Sequence, residues 1–253
     1  MVITGNTVLI TGGATGIGYA LAESFLEAGN KVIICGRREE KLLSAQKRHP
    51  EFKIRVCDVS DENGRESLLA WIVSNCKDMN VLINNAGIQR DIDFTKGVED
   101  LKKGGDEIKI NLEAPIYLSA LFTPFLANRQ GAAMINVSSG LAFLPMARMP
   151  VYCATKAALH TFCLSLRHQL SRVGIRVFEI IPPMILDTEL NLEGRANRGR
   201  RGMNMKTPTS EEFAAAVMKG LANDESEIGY GMGDEFKTAS RADLERRFEQ
   251  MNR

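Results

Sequence analysis

The sequence carries almost no net charge: 32 Lys and Arg stand against 31 Asp and Glu in 253 residues, a formal +1. Nucleic-acid binders need a basic excess to displace counterions from phosphate, so nucleic acid is excluded as the main partner. Cysteine is sparse and unpaired in pattern. Cys35, Cys57, Cys76, Cys153 and Cys163 are an odd number without a C-x-x-C and mostly sit in apolar segments, which points to reduced, structural thiols rather than a disulfide framework. His49, His160 and His168 have no metal-ligand spacing to Asp, Glu or Cys, so no metal is expected. No segment approaches the roughly 18 uninterrupted apolar residues of a membrane span. The start, MVITGNTVLITGG, lacks a basic region and meets glycines before any long apolar stretch, so it reads as a first strand rather than a signal peptide. A cytoplasmic protein is the expectation. There is also no repeat of fixed period and no low-complexity tract.

What is present is an average globular profile, 44% hydrophobic and 25% charged, in a chain long enough to bury a core without disulfides or a structural metal. Short β-branched runs at Thr7 to Thr11, Lys31 to Cys35, Lys53 to Val56, Val81 to Asn84, Ala132 to Val137 and Arg176 to Ile181 alternate with stretches of helical period. The runs VLI, VIIC, VLIN, MINV and VFEII are apolar throughout, as strands covered on both faces must be. The alternation predicts a doubly wound α/β fold with a parallel sheet, EIGYG supplying a seventh strand. Helices are expected at Ile17 to Ala28, Glu39 to Arg48, Glu62 to Asn75, Gly104 to Arg129, Tyr152 to Val173, Ser210 to Asn223 and Arg241 to Met251. One domain over residues 1–253 is the expected organisation, and Asn191 to Pro208, rich in Arg, Gly and Asn, reads as a loop.

Three motifs carry chemistry. Thr11-Gly-Gly-Ala-Thr-Gly-Ile-Gly18 lies between the first strand and the first helix. Gly12 permits the tight turn, Gly16 lets backbone approach a pyrophosphate, and Gly18 lets helix and strand pack closely, with the helix N-terminus facing phosphates. A P-loop is excluded because no Gly-Lys-Ser/Thr follows. Asn84-Asn85-Ala86-Gly87 ends the fourth strand; its Asn side chains can bond neighbouring backbone, or can simply end a strand in a turn. Tyr152 and Lys156 stand four apart on one helix face, with Ser139 thirteen residues before the tyrosine. A phenol of ordinary pKa is a poor proton shuttle at neutral pH, and a neighbouring ammonium such as Lys156 would lower it. Taken alone, a Tyr and a Lys at this spacing are more often amphipathic surface.

Together, T-G-x-x-x-G-I-G, N-N-A-G, Ser139 and Tyr152-Cys-Ala-Thr-Lys156 resemble the short-chain dehydrogenase/reductase family in order and placement. The resemblance implies a Rossmann fold, a nicotinamide cofactor and a catalytic set of Asn111, Ser139, Tyr152 and Lys156. Tyr152 would exchange a proton with the substrate oxygen and Ser139 would bond that oxygen. Lys156 would also hold the nicotinamide ribose, and Asn111 would hold a relay water. The alternative for Asn111 is a partly exposed polar residue on a helix interrupted by Pro115. The resemblance assigns cofactor contacts to Gly12, Thr15, Gly16, Ile17, Gly18, Arg37, Arg38, Asp58, Val59, Asn85, Ala86, Gly87, Tyr152, Lys156, Pro182, Ile185 and Thr188. Gly87 would let the adenosine ribose approach. Asp58 would bond the adenine amino group, or serve as a helix cap or turn residue.

The second strand ends Cys35-Gly36-Arg37-Arg38, with glycine where NAD-preferring members place Asp. Two guanidinium groups there can clamp a 2′-phosphate, so NADP(H) is expected over NAD(H). The competing reading is that they only begin a solvated helix, and Thr15 stands where many NADP-preferring members have Arg or Lys. After the sixth strand the family has Pro-Gly; here Pro182-Pro183 fixes φ and removes a donor. The run P-P-M-x-x-D-T-x-L with EIGYG looks like a bacterial subgroup that includes the DltE-type oxidoreductases. The resemblance also implies a substrate-loop insertion at about 189–208, whose arginines could steer an anion or could merely be solvated. Leu141, Phe143, Leu144, Met149 and Met184 are candidates for an apolar substrate wall, or equally for core. Ile116, Leu121, Phe162 and Leu166, read as outward on the two long helices, suggest a homodimer or homotetramer. The expected function is an NADP(H)-dependent oxidoreductase acting on a small-molecule carbonyl or secondary alcohol. The alternative is a non-catalytic NADP(H)-sensing regulatory protein, which would have no use for an activated phenol.

Overall fold

The computed structural model describes residues 1–103, 106–190 and 207–252. Strands β1 (Thr7–Thr11), β2 (Lys31–Gly36), β3 (Lys53–Val56), β4 (Val81–Asn84), β5 (Ala133–Val137), β6 (Arg176–Ile181) and β7 (Glu227–Gly229) form one sheet. Its order is β3-β2-β1-β4-β5-β6-β7, and every neighbouring pair is parallel. The helices are α1 (Gly16–Glu27), α2 (Glu39–Arg48), α3 (Glu62–Asn75), α4 (Val98–Lys102), α5 (Ala114–Leu126), α6 (Pro150–Leu170), α7 (Ser210–Ala222), α8 (Met232–Thr238) and α9 (Arg241–Met251). None of the described helices is long and apolar enough to cross a membrane.

The uninterrupted apolar strands are explained by the two cores. Leu9, Ile33, Leu82, Met134 and Val177 face one side and pack on Leu68, Ile72, Phe122 and Leu170 of α3, α5 and α6. Their neighbours Val8, Ile10, Val32, Ile34, Ile83 and Ile135 face the other side, toward Phe25, Leu42, Phe213 and Val217 of α1, α2 and α7. Both parities of the inner strands β1, β2, β4, β5 and β6 are therefore buried, whereas the edge strand β3 is half-exposed. The chain leaves β1 for β2 and β3, then returns across β1 to β4, so the order reverses between β1 and β4. In an open α/β sheet, the crevice beyond the strand C-termini at such a reversal is where ligands bind.

A polar rung crosses this apolar sheet. Asn84, Asn136 and Glu179 are in register on β4, β5 and β6, all buried. Asn84 Nδ2 donates to Asn136 Oδ1 at 2.9 Å, and Glu179 Oε2 lies 2.8 Å from His160 Nδ1 on α6.

The helix expected from Gly104 to Arg129 is divided. Residues 104–105 lie outside the described residues, α4 ends at Lys102, and a π-turn at Lys109–Glu113 leads into α5. Pro115 has no N–H to give the carbonyl of Asn111, so the helix widens there. At its far end α5 stops at Leu126, and Asn128 takes φ 61°, a left-handed conformation in which Asn is enriched. The helix read from Tyr152 begins two residues earlier, with Pro150 in the first turn where its missing N–H costs nothing, and passes into a 3₁₀ turn over Ser171–Val173.

Of the four helix positions read as outward, three are corrected by the packing, while Ile116 is half-buried outside the core clusters. Leu166 is buried in the chain's own core, and Leu121 and Phe162 pack against the same cluster. The large apolar side chains that α5 and α6 do expose are Tyr117 and Leu164.

Candidate active site

The turn between β1 and α1 shows why it is glycine-rich. Gly12 and Gly16 have φ of 65° and 56°, left-handed values that cost a residue with a Cβ. A Cβ on Gly18 would fall 2.4 Å from Asn85 Nδ2 and 2.4 Å from Gly12 O. Asn85 holds the turn from the far side, donating to Thr11 O at 2.9 Å and Gly12 O at 3.2 Å. Thr11 Oγ1 in turn accepts the N–H groups of Asn85 and Ala86, each at 3.0 Å. The N-N-A-G run therefore ties β4 to the glycine turn through Asn85, while Asn84 points into the polar rung. At the head of α1, Thr15 makes no side-chain cap and the first turn holds no acid. The helix N-terminus is thus left with unpaired N–H groups and positive potential, the features that suit a phosphate and so fit a dinucleotide.

Gly12, Thr15, Gly16, Ile17, Gly18, Arg37, Arg38, Asp58 and Val59, around the glycine turn and the end of β2, line one cleft of about 950 Å³. Asn85, Ala86, Gly87, Ser139, Tyr152, Lys156, Pro182, Ile185 and Thr188 line the same cleft. Asn111 lies beneath the wall rather than on it, 1% exposed, which removes the reading of it as a partly exposed polar residue. Its amide is committed: Oδ1 accepts Ile88 N–H at 2.9 Å and Nδ2 donates to Ile88 O at 2.8 Å and Thr155 Oγ1 at 3.3 Å. Gly87 faces this pair and the lysine; a Cβ there would meet Asn111 Oδ1 at 3.3 Å and Lys156 Nζ at 3.7 Å. Gly87 also lines the cleft, so its small size keeps the space beside Asn111 and Lys156 open.

Tyr152, Ser139 and Lys156 meet where the end of β5 and the first turns of α6 face each other. Leu141 N–H donates to Ser139 Oγ at 3.1 Å, and Lys156 Nζ donates to Val137 O at 2.7 Å and lies 5.8 Å from the Tyr152 ring centre. Burial sets the protonation of the free site. It raises the Tyr152 phenol well above its ordinary value, against a smaller lowering by hydrogen bonding with Ser139. Burial also lowers Lys156 to about 8, against a smaller raising by neighbouring Cys163 and Glu179. The expected lowering of the phenol by Lys156 is therefore not what the free site shows, because the low-dielectric surroundings penalise phenolate more than anything nearby favours it.

At the end of β2, Arg37 Nη1 lies 3.8 Å from Asp58 Oδ2, while Arg38 reaches Thr15 Oγ1 at 3.5 Å. Asp58 Oδ1 accepts Ser60 N–H at 2.9 Å and Ser60 Oγ–H at 2.7 Å, a turn role; the N-cap of α3 is Asp61. Lys41 also lines this end, a residue the sequence reading passed over although it stands three after Arg38 in the first turn of α2.

The apolar wall is partly as expected. Leu141, Met149 and Met184 line the cleft. Leu144 is core, and Phe143 packs edge-on against His160 with ring centres 4.7 Å apart, so neither belongs to the wall. Met146, Met232, Phe236 and Met251 take part instead. Met251 arrives from the end of α9, and Asn252 pins that end by accepting Ala147 N–H at 2.7 Å and donating to Pro145 O at 3.4 Å. Pro183, which replaces the family's glycine, is matched from across the cleft. A Cβ on Gly233 would come 2.5 Å from Ile181 O and 3.3 Å from Pro183 N, so α8 closes directly on this strand end. The Arg-rich segment read as a loop from Asn191 to Pro208 lies, over residues 191–206, outside the described residues.

Comparison with known proteins gives consistent relatives. The family described as short chain dehydrogenase matches residues 6–199. "Uncharacterized oxidoreductase DltE" of Bacillus subtilis is 49% identical over 252 residues, covering 100% of this chain and 98% of that protein. "NADP-dependent 3-hydroxy acid dehydrogenase YdfG" of Salmonella typhimurium is 33% identical over 220 residues, 83% of this chain and 86% of that one. Among solved structures, a short chain dehydrogenase from Burkholderia cenocepacia in complex with NADP superposes with a TM-score of 0.79 at 27% identity, covering 98% of this chain and 99% of that one.

Proposed function

The chain belongs to the short chain dehydrogenase family and is an oxidoreductase acting on CH–OH groups; from that premise we propose that it uses NADP(H), with Tyr152 as acid/base, on a carbonyl or secondary alcohol. The observation that carries the reading is the meeting of Ser139, Tyr152 and Lys156 at one end of a cleft whose other end is a glycine turn and an uncapped helix N-terminus. When bound, the nicotinamide supplies or accepts the hydride. The protein's part is to hold the substrate oxygen and move its proton. Ser139 Oγ orients that oxygen, and the buried Tyr152 phenol, kept protonated at neutral pH, gives its proton to the oxygen during reduction. Lys156, partly neutral near pH 8, is placed to bond ribose hydroxyls and to return a proton toward the phenol.

Because the Asn111 amide is committed to Ile88, a relay water would sit on the Asn111 main-chain carbonyl, which Pro115 deprives of its i+4 donor. Arg38 and Lys41 would bind the 2′-phosphate, Asp58 the adenine edge, and Ile185 and Thr188 the carboxamide side. The NADP named for the Salmonella relative and for the Burkholderia structure supports this choice of cofactor. A homodimer or homotetramer through α5 and α6, covering Tyr117 and Leu164, belongs to the same reading.

The test is oxidation of NADPH against a panel of neutral and anionic carbonyls, 3-oxo acids among them, with NADH in parallel and Tyr152→Phe as control. Turnover that falls by about 10²- to 10⁴-fold in the variant while NADPH still binds is the expected result. Wild-type turnover in Tyr152→Phe would remove the phenol from the mechanism; NADPH binding without turnover on any carbonyl would favour a sensor.

A further inference from the structure

The clamp assigned to the 2′-phosphate already holds an anion of its own. Glu189 Oε2 lies 2.7 Å from Arg38 Nη1, and Glu189 Oε1 lies 2.7 Å from Lys41 Nζ, so each carboxylate oxygen engages one cation. These contacts span about 150 residues of chain, from the segment after β6 to the first turn of α2. The segment carrying Glu189 is anchored on both its inner sides. Asp187 Oδ2 accepts Ser210 N–H at 2.9 Å and Ser210 Oγ–H at 3.0 Å at the head of α7, and Thr188 Oγ1 donates to Ile185 O at 3.2 Å. Thr188 also packs over the glycine turn, where a Cβ on Gly16 would meet its Cβ at 3.2 Å. The Glu189 carboxylate is thus delivered to the arginine and lysine by a placed backbone. The two cations hold its pKa below the ordinary carboxylate value, so it is ionised wherever the enzyme would work.

We propose that Glu189 is an internal competitor for the 2′-phosphate of NADP(H): it must release Arg38 and Lys41 for that phosphate to bind, and so sets how strongly the enzyme prefers NADP(H) over NAD(H). The inference rests on the assignment of Arg38 and Lys41 to the 2′-phosphate made above. A phosphate monoester carries up to two charges and three acceptor oxygens, against one charge on Glu189, so it displaces the carboxylate when it arrives. A dinucleotide with a plain 2′-hydroxyl has nothing to offer the two cations in exchange and leaves the ion pairs in place. Glu189 therefore taxes only the phosphorylated cofactor. The pairs are half-exposed, and such pairs are individually weak, so lifting both changes affinity by about two- to thirtyfold.

The experiment is calorimetric titration of the intact protein with NADPH, NADH, 2′,5′-ADP and AMP, for the wild type, Glu189→Gln, and an Arg38→Ala, Lys41→Ala double variant. Glu189→Gln is expected to bind NADPH and 2′,5′-ADP about two- to thirtyfold more tightly, with NADH and AMP unchanged, and the gain should shrink as salt is raised. If Glu189→Gln leaves the phosphorylated ligands unchanged or weaker, or tightens NADH equally, the competition is refuted. The double variant separates this from failure of its premise. Weaker NADPH and unchanged NADH there uphold the clamp whatever Glu189 does, whereas an unchanged ratio of the two overturns both the clamp and the competition.

Discussion

Gly18→Ala would place a methyl group 2.4 Å from Gly12 O and 2.4 Å from Asn85 Nδ2. The first neighbour is backbone in a left-handed turn and cannot rotate away. The second is a side chain whose two hydrogen bonds, to Thr11 O at 2.9 Å and Gly12 O at 3.2 Å, are what tie β4 to the turn. Moving Asn85 aside forfeits about 0.5–1.5 kcal/mol per bond. Inserting a methylene-sized group into a packed contact costs about 1–3 kcal/mol more. Against this, alanine in a helix gains about 1 kcal/mol over glycine. The net expectation is a loss of about 1–5 kcal/mol, read as a lower urea midpoint with an unchanged slope, together with weaker NADPH binding because the turn itself has shifted. Gly36→Ala is the matched control. Nothing lies within 4 Å of a Cβ there and its φ is not left-handed, so its stability should stay within about 0.5 kcal/mol of wild type or rise slightly. Equal stability and equal NADPH affinity for Gly18→Ala and wild type would refute the argument that close packing of α1 on the turn is why residue 18 is glycine.

Lys156, lowered by burial to about 8 from 10.5, should make the free protein more stable as pH rises. The unfolded chain binds the extra proton between those values, so the gain is complete only above the unfolded pKa and is lost as pH falls through about 8. Its size is about 3 kcal/mol, and urea midpoints across this range should climb relative to Lys156→Met, with a parallel course for the two proteins counting against a buried ammonium. Asn252→Ala should loosen the end of α9 and raise KM for the carbonyl substrate several-fold, with kcat and unfolding midpoint little changed; an unaltered KM would show that Met251 does not bound the substrate space. Phe122→Ala, at a fully buried position between α5 and the sheet, should cost about 3–5 kcal/mol in urea, and a loss under 1 kcal/mol would mean that this core can collapse onto the cavity.

Much of this architecture is legible in the sequence because parallel strands covered on both faces leave a strong trace. Thr7–Thr11, Val81–Asn84 and Arg176–Ile181 have the bounds expected from their apolar runs, and the half-exposed edge strand Lys53–Val56 has the bounds expected of it from its β-branched residues. The glycine turn and the residues spaced along α6 were readable for the same reason, since each depends on local geometry. What escaped depends on distant chain. The π-turn before α5 leaves no period of its own, although Asn111 followed four residues later by Pro115 was the available sign. Phe143 and Leu144 differ little from Leu141 and Met149 as letters, and only the position of α6 and α9 sorts core from wall. Likewise, Arg37 and Arg38 are adjacent and alike, yet one turns to Asp58 and the other to Glu189, a residue no local pattern connects to them. The raising of the Tyr152 phenol by burial was likewise not legible, because neighbouring charge is visible in spacing while desolvation is not.

The polar rung of Asn84, Asn136 and Glu179 has a consequence for how the chain finds its structure. The strands VLIN, AMINV and RVFEII are similar enough in hydrocarbon content that several alignments would bury nearly the same surface. In a slip of one residue, each polar side chain would turn toward the opposite core, and in a slip of two Asn84 would face Met134 or Ser138, and Asn136 would face Val177 or Ile181, in place of their polar partners. Asn84 would then lose its partner on β5, and the Glu179 carboxylate would be separated from His160. The rung therefore works as a key that fits one alignment, making misaligned sheets costly at the stage when β4, β5 and β6 first meet and their greasy surfaces alone could not tell right from wrong.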